Sequence, residues 1–369
     1  MASIDLPPEL PTATKTLTAQ CYCKATHFTI TVPSSALPLP VHLCHCSICR
    51  QTHGTLSSFH APLPAGIEPT FIPPSSLAAS LTGYLHSPSA LSTRYFCRTC
   101  GCHVGDADTE PDPHTGKAEW RVATSVFDSQ EHFVIRSHVY TRGHGTGLHD
   151  WLPRLGGEEA VRVWNPDRDE IPSGPPPRAE SDAEGNERLR AECRCGGVSF
   201  TIPRPNAPGV EAAREFVSPT HADRWVATLD LCDDCRLVGG AHVTGWMFVP
   251  GAVTEPRIGI GGPQGLEVGD GTLRTFRSSE GIARGFCGVC GATVLFACEE
   301  RAGVVDVAVG VLRAPEGVAA EGWLTWRTGR VGYYESGERY DPVFAKALKE
   351  GFEEWGVKTY GELLDFKIG

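Results

Sequence analysis

The feature that most restricts this chain is a set of cysteine blocks that occurs twice, in the same order. Leu17-Thr-Ala-Gln-Cys21-Tyr-Cys23 precedes Phe28-Thr-Ile30, and Leu189-Arg-Ala-Glu-Cys193-Arg-Cys195 precedes Phe200-Thr-Ile202. Cys44-His-Cys46-Ser-Ile-Cys49-Arg50 is answered by Asp230-Leu-Cys232-Asp-Asp-Cys235-Arg236, with Gly54 and Gly240 following at equal distance. Phe96-Cys97-Arg-Thr-Cys100-Gly101 is answered by Phe286-Cys287-Gly-Val-Cys290-Gly291. Three blocks repeated in order identify one domain written twice, each copy long enough to bury a core of its own.

The 15 cysteines are an odd number, and Met1–Thr18, with Pro7, Pro8 and Pro11, lacks the apolar run of a signal peptide. The chain is therefore expected to be cytoplasmic, where thiols stay reduced and clustered spacing points to metal rather than to disulfides. No apolar stretch approaches a membrane span. A net charge of −11 without a Lys/Arg block argues against nucleic acid or an anionic membrane surface as partner.

Within each copy the pattern predicts strands, and 41 glycines with 29 prolines suit many turns rather than long helices. Phe28–Val32 and Val198–Ile202 alternate with β-branched residues and stop at Pro33 and Pro203. Val304–Leu312 reads as a strand with period two, and Trp120–Val126 as its counterpart. Phe344, Leu348, Phe352 and Trp355 recur at helical spacing, so an amphipathic helix is expected to cap the second copy. The expected order is an N-terminal tail (1–14), a first zinc domain (15–165), a Pro-rich and acidic linker (166–187), a second domain (188–340) and a C-terminal helical extension (341–369). An extra segment, Pro205 to Arg224, reads as a surface loop or short helix.

Zinc in a closed structural site takes four thiolate or imidazole ligands. Cys21, Cys23, Cys97 and Cys100 can supply one such set; Cys193, Cys195, Cys287 and Cys290 can supply the other. Cys44, Cys46 and Cys49 form a separate trio. Three ligands with an open position is the arrangement zinc uses in catalysis, and a soft thiolate-rich site favours a further thiolate. The alternative is a closed site completed by His45, His53, His138 or Cys102. In the second copy Asp230 replaces the first thiol, leaving Asp230, Cys232 and Cys235 as a harder donor set less suited to catalysis. Arg50 and Arg236 either meet a substrate carboxylate or hold the loop by hydrogen bonds, the second use being favoured. His45 and His53 flank the trio and are the candidates for proton transfer. Cys102 and Cys298 stand off the pattern and read as core residues.

Cys-x-Cys, Cys-His-Cys-x-x-Cys-Arg and Phe-Cys-x-x-Cys-Gly together resemble the glutathione-dependent formaldehyde-activating enzyme family, also called centromere protein V-like. The resemblance covers both halves and implies the Mss4-like fold: a mainly β chain of two tandem zinc-binding domains. It implies carbon–sulfur lyase activity, with glutathione as co-substrate and formaldehyde as the named substrate. It gives Cys21, Cys23, Cys97 and Cys100, with their second-copy equivalents, the structural role, and gives Cys44, Cys46 and Cys49 the catalytic one. Lys24 departs from the pattern, standing where a glycine usually follows the second cysteine; the other copy keeps Gly196. The resulting expectation is a zinc-dependent carbon–sulfur lyase acting on a small thiol or glutathione adduct, with two structural zincs and one or two more. The competing expectation is a non-catalytic tandem zinc module that binds another protein.

Overall fold

A computed structural model describes residues 13–143, 145–157, 160–166, 177, 179–211, 214–262 and 265–368. Most of the expected N-terminal tail and of the proline-rich linker lies outside them. The end of that linker, Glu180–Ser181, pairs as a short strand against Glu187–Glu192.

The chain is mainly β, and one strand order recurs in its two halves. In the first half, Thr14–Gln20 pairs antiparallel with His27–Pro33, with Leu17 opposite Ile30 and Ala19 opposite Phe28. The alternation drives Phe28, Ile30 and Val32 inward, where all are buried. Beside it an eight-stranded sheet runs Arg162–Trp164, Phe133–Val139, Leu39–Cys44, Ser58–Pro62, Trp120–Ala123, His103–Asp108, Ser92–Cys97, Leu81–Tyr84. The seven-stranded sheet of the second half repeats this sequence of neighbours from Leu324–Trp326 and Trp225–Asp230 through to Leu273–Ser279.

Two sequence expectations need correction here. Trp120–Val126 and Val304–Leu312 are strands only as far as Ala123 and Ala308; Thr124–Val126 and Val309–Val311 are 3₁₀ turns. The C-terminal helix, Pro342–Tyr360, is capped by Asp341, whose carboxylate accepts from the Phe344 amide at 3.0 Å. It buries Phe344, Leu348, Phe352 and Trp355, but it does more than cap the second half. Phe352 and Trp355 meet Trp151 of the first half at ring-centroid distances of 5.1 and 5.4 Å, and Phe352 meets Trp326 of the second at 6.0 Å. A short helix, Tyr334–Tyr340, precedes it.

The 3₁₀ turns exist because each is pressed against the other half. Arg50 donates to the Gly310 carbonyl at 3.0 Å, and its counterpart Arg236 donates to the Ser125 carbonyl. The Tyr22 amide donates to the Leu237 carbonyl, and the Arg194 amide donates to the Gln51 carbonyl. Gly54 sits on the backbone of Thr293, and Gly240 on that of His103. Each of these contacts has a partner with the halves exchanged, so the halves meet here across an approximate twofold axis, as two subunits of an isologous dimer do.

No helix of the described residues is long and apolar enough to cross a membrane.

Candidate metal centres

Each Cys-x-Cys lies in the turn of the first hairpin. The turn closes by a bond from the Lys24 amide to the Cys21 carbonyl, or from Gly196 to Cys193, and residues 24 and 196 both take positive φ, +61° and +75°. The lysine therefore adopts the left-handed conformation for which glycine is the easy choice. Opposite this turn, the second doublet follows the strand Ser92–Cys97 or Ile282–Cys287.

The Sγ atoms of Cys21 and Cys23 are 3.5 Å apart, and those of Cys23 and Cys97 are 3.6 Å apart. In the second half the matching distances are 3.6 Å (Cys193–Cys195) and 3.4 Å (Cys195–Cys287). Zn–S bonds of about 2.3 Å place tetrahedral sulfurs about 3.8 Å apart. With four donor atoms in each group within 4.8 Å of one another, all reduced, both sets fit a closed tetrathiolate centre.

Cys44 ends a strand, Cys46 caps the helix Ser47–His53, and Cys49 lies in its first turn, its amide bonded to the Cys46 sulfur at 3.3 Å. The three sulfurs converge within 4.8 Å; Cys46 is buried, while Cys44 and Cys49 are half-buried. Hydrogen bonding shared with Cys44 and Cys46, then the nearby Arg94 guanidinium, holds the Cys49 thiol well below its ordinary range. Cys46, Cys49 and burial push Cys44 well above it. Arg94 donates to the Cys49 sulfur at 3.6 Å.

None of the residues considered for closing the trio joins the converging set. His45 Nε2 meets His138 Nδ1 at 2.9 Å, and His138 Nε2 donates to the Leu152 carbonyl at 2.9 Å. That second bond fixes the His138 tautomer when the ring is neutral, so Nδ1 accepts and His45 Nε2 donates. Cys102 is fully buried with its thiol against the His103 carbonyl at 3.5 Å. Cys298, the other cysteine off the pattern, is half-buried on a cavity wall instead of in the core. Arg50 and Arg236 serve the interface between the halves, the structural use.

His53 belongs to a chain of groups that spacing does not reveal. Its Nδ1 donates to the Cys49 carbonyl at 2.8 Å, its Nε2 faces His60 Nε2 at 3.3 Å, and His60 Nδ1 donates to Asp106 at 2.8 Å. Arg121 anchors Asp106 at 2.8 Å and Asp108 at 2.7 Å. The Cys49 carbonyl and the Asp106 carboxylate only accept, so the contact between the two Nε2 atoms becomes a hydrogen bond when the pair carries a third proton. His103 stacks on His53 with centroids 3.9 Å apart. Burial, then His103 and His60, push His53 well below the usual imidazole range.

In the second half Asp230, Cys232 and Cys235 likewise converge within 4.8 Å. The Cys232 amide donates to Asp230 at 2.7 Å, and Arg284 donates to the Cys235 sulfur at 3.4 Å, as Arg94 does to Cys49. Burial pushes the Asp230 carboxyl up to about 7, and hydrogen bonding with Cys235 brings Cys232 down to about 6. Arg94 and Arg284 each stand three residues before the Cys-x-x-Cys of their half, a repeat that lies outside the cysteine motifs but is visible in the sequence.

No curated protein and no solved structure matches the chain. Residues 16–143 match the model of one family, described as glutathione-dependent formaldehyde-activating enzyme, and the matched span contains every cysteine of the three first-half blocks. The first half of this chain thus belongs to the glutathione-dependent formaldehyde-activating enzyme family.

Proposed function

We propose that the chain is a zinc-dependent enzyme of carbon–sulfur lyase type, acting on a small thiol or glutathione adduct at Cys44, Cys46 and Cys49. One observation carries this reading: three sulfurs converge without a fourth protein donor among the described residues, and two of the three cysteines, Cys44 and Cys49, are only half-buried. Bound zinc supplies a Lewis acid that keeps a substrate sulfur ionised at neutral pH, whether that sulfur attacks carbon or leaves it.

The protein's part is to hold the ligands and manage charge. Arg94 offsets the negative charge of the trio at Cys49. The His45–His138–Leu152 bonds fix the loop between Cys44 and Cys46. The Asp106–His60–His53 chain fixes the Cys49 backbone behind the site. The second half braces the ligand helix through Gly310 and Thr293.

Replacing Cys46 with Ala tests the reading. The variant is expected to lose one zinc per chain by elemental mass spectrometry, keep its thermal unfolding midpoint within a few degrees, and lose turnover of formaldehyde with glutathione. Retained turnover in a variant that has lost that zinc overturns the proposal.

A further inference from the structure

The second half holds a cavity of about 850 Å³ directly over Asp230, Cys232 and Cys235. That volume lies within the usual range for a small-molecule pocket, about 300–1,000 Å³. Asp230 and Cys232 are half-buried at its floor, and Cys235 is buried beneath them.

The walls are not those of the first half. His60 pairs with Ala123 and Trp246 with Ala308, so Trp246 occupies the place of His60. Asp106 pairs with Arg121 and Phe296 with Asp306, so Phe296 occupies the place of Asp106. The polar chain behind the trio is replaced by an aromatic wall, with Trp246 and Phe296 centroids 6.3 Å apart and Phe248 beside them. The Arg284 and Arg301 guanidinium groups pack over Phe296 at 5.0 and 5.9 Å, so their planes belong to the wall.

The polar groups narrow the ligand further. Arg301 is satisfied by Asp306 at 2.7 and 2.8 Å. Arg327 gives one N–H to Thr228 at 3.2 Å, and its buried Nε has no partner. Glu280, Glu299 and Glu300 stand exposed at the mouth and disfavour an anionic ligand. A carboxylate in place of one thiolate makes the donor set harder and better matched to an oxygen ligand.

We infer that Asp230, Cys232 and Cys235 form a second metal site beneath this cavity, which takes a small neutral aromatic molecule carrying an oxygen donor. The site does not depend on the proposed chemistry of the first half. Its ligand class differs, with oxygen instead of sulfur at the metal and a flat apolar body against Trp246 and Phe296.

The test uses the full chain loaded with Co²⁺, with Cys44, Cys46 and Cys49 all replaced by Ser so that the first trio is silent. Three Co²⁺ per chain are expected, falling to two when Asp230→Ala is added. Benzohydroxamate is expected to shift the visible bands of the third ion and to bind about tenfold more tightly than acetohydroxamate, which lacks the ring. Phe296→Asp is expected to remove that preference while leaving the metal count unchanged. Two Co²⁺ per chain before Asp230 is changed, or equal binding of the two hydroxamates, overturns the inference. If the triple variant does not fold, the difference spectrum between the unaltered protein and Asp230→Ala answers the same question, and identical spectra overturn the inference.

Discussion

Gly54 ends the ligand helix of the first half in a left-handed cap at φ +75°, its amide bonded to the Arg50 carbonyl at 2.8 Å. A methyl group there meets two separate costs. The conformation alone costs an alanine about 1 kcal/mol. The added Cβ would also lie 2.7 Å from the Thr293 carbonyl carbon, with the oxygen nearer still, where ordinary contact begins at 3.4 Å. Backbone of the opposite half cannot rotate out of the way as a side chain can, so relief requires the halves to shift, at about 1–3 kcal/mol. Gly54→Ala is therefore expected to destabilise by about 2–4 kcal/mol in total. Gly361 is the control: it also ends a helix in a left-handed cap, at φ +82°, with nothing within 4 Å of its added Cβ. Gly361→Ala is expected to cost only the conformational share, about 1 kcal/mol. Urea unfolding of both variants, read at the first transition with unchanged m, measures the difference. Equal midpoints would refute the argument that the backbones of the two halves are in direct register at this point.

Two smaller effects follow from local geometry. Lys24 holds φ +61° at the position where the second half uses Gly196, so Lys24→Gly is expected to raise stability by about 0.5–1 kcal/mol in the same assay. Asp341→Ala removes the side-chain cap of the C-terminal helix and is expected to cost about 1 kcal/mol, with circular dichroism reporting helical fraying ahead of the main transition.

The cysteine groups that could hold metal were plain in the sequence because a metal site demands donors at short spacings, and Cys-x-Cys and Cys-x-x-Cys recur in both halves. The hairpin strands were equally plain, since Phe28, Ile30 and Val32 alternate into the core. What escaped was whatever depends on strand pairing across long separations. His53, His60 and Asp106 come from a helix and two strands, and only the sheet brings them into line. The premature ends of the strands at Ala123 and Ala308 escaped for a similar reason, because the force that turns the chain there comes from the other half. Arg94 is legible in the sequence, since it recurs as Arg284 at the same distance before the Cys-x-x-Cys.

The reciprocal seating of the halves also bears on how such a chain can change over generations. In a dimer of identical subunits every substitution falls on both sites at once, and an exchange such as Cys44 for Asp230 would have removed both thiolate trios together. Joined in one chain, the two faces keep the same mutual fit through Gly54, Gly240, Arg50 and Arg236 while the sites they brace are inherited separately. One trio can change while the other is kept as it is.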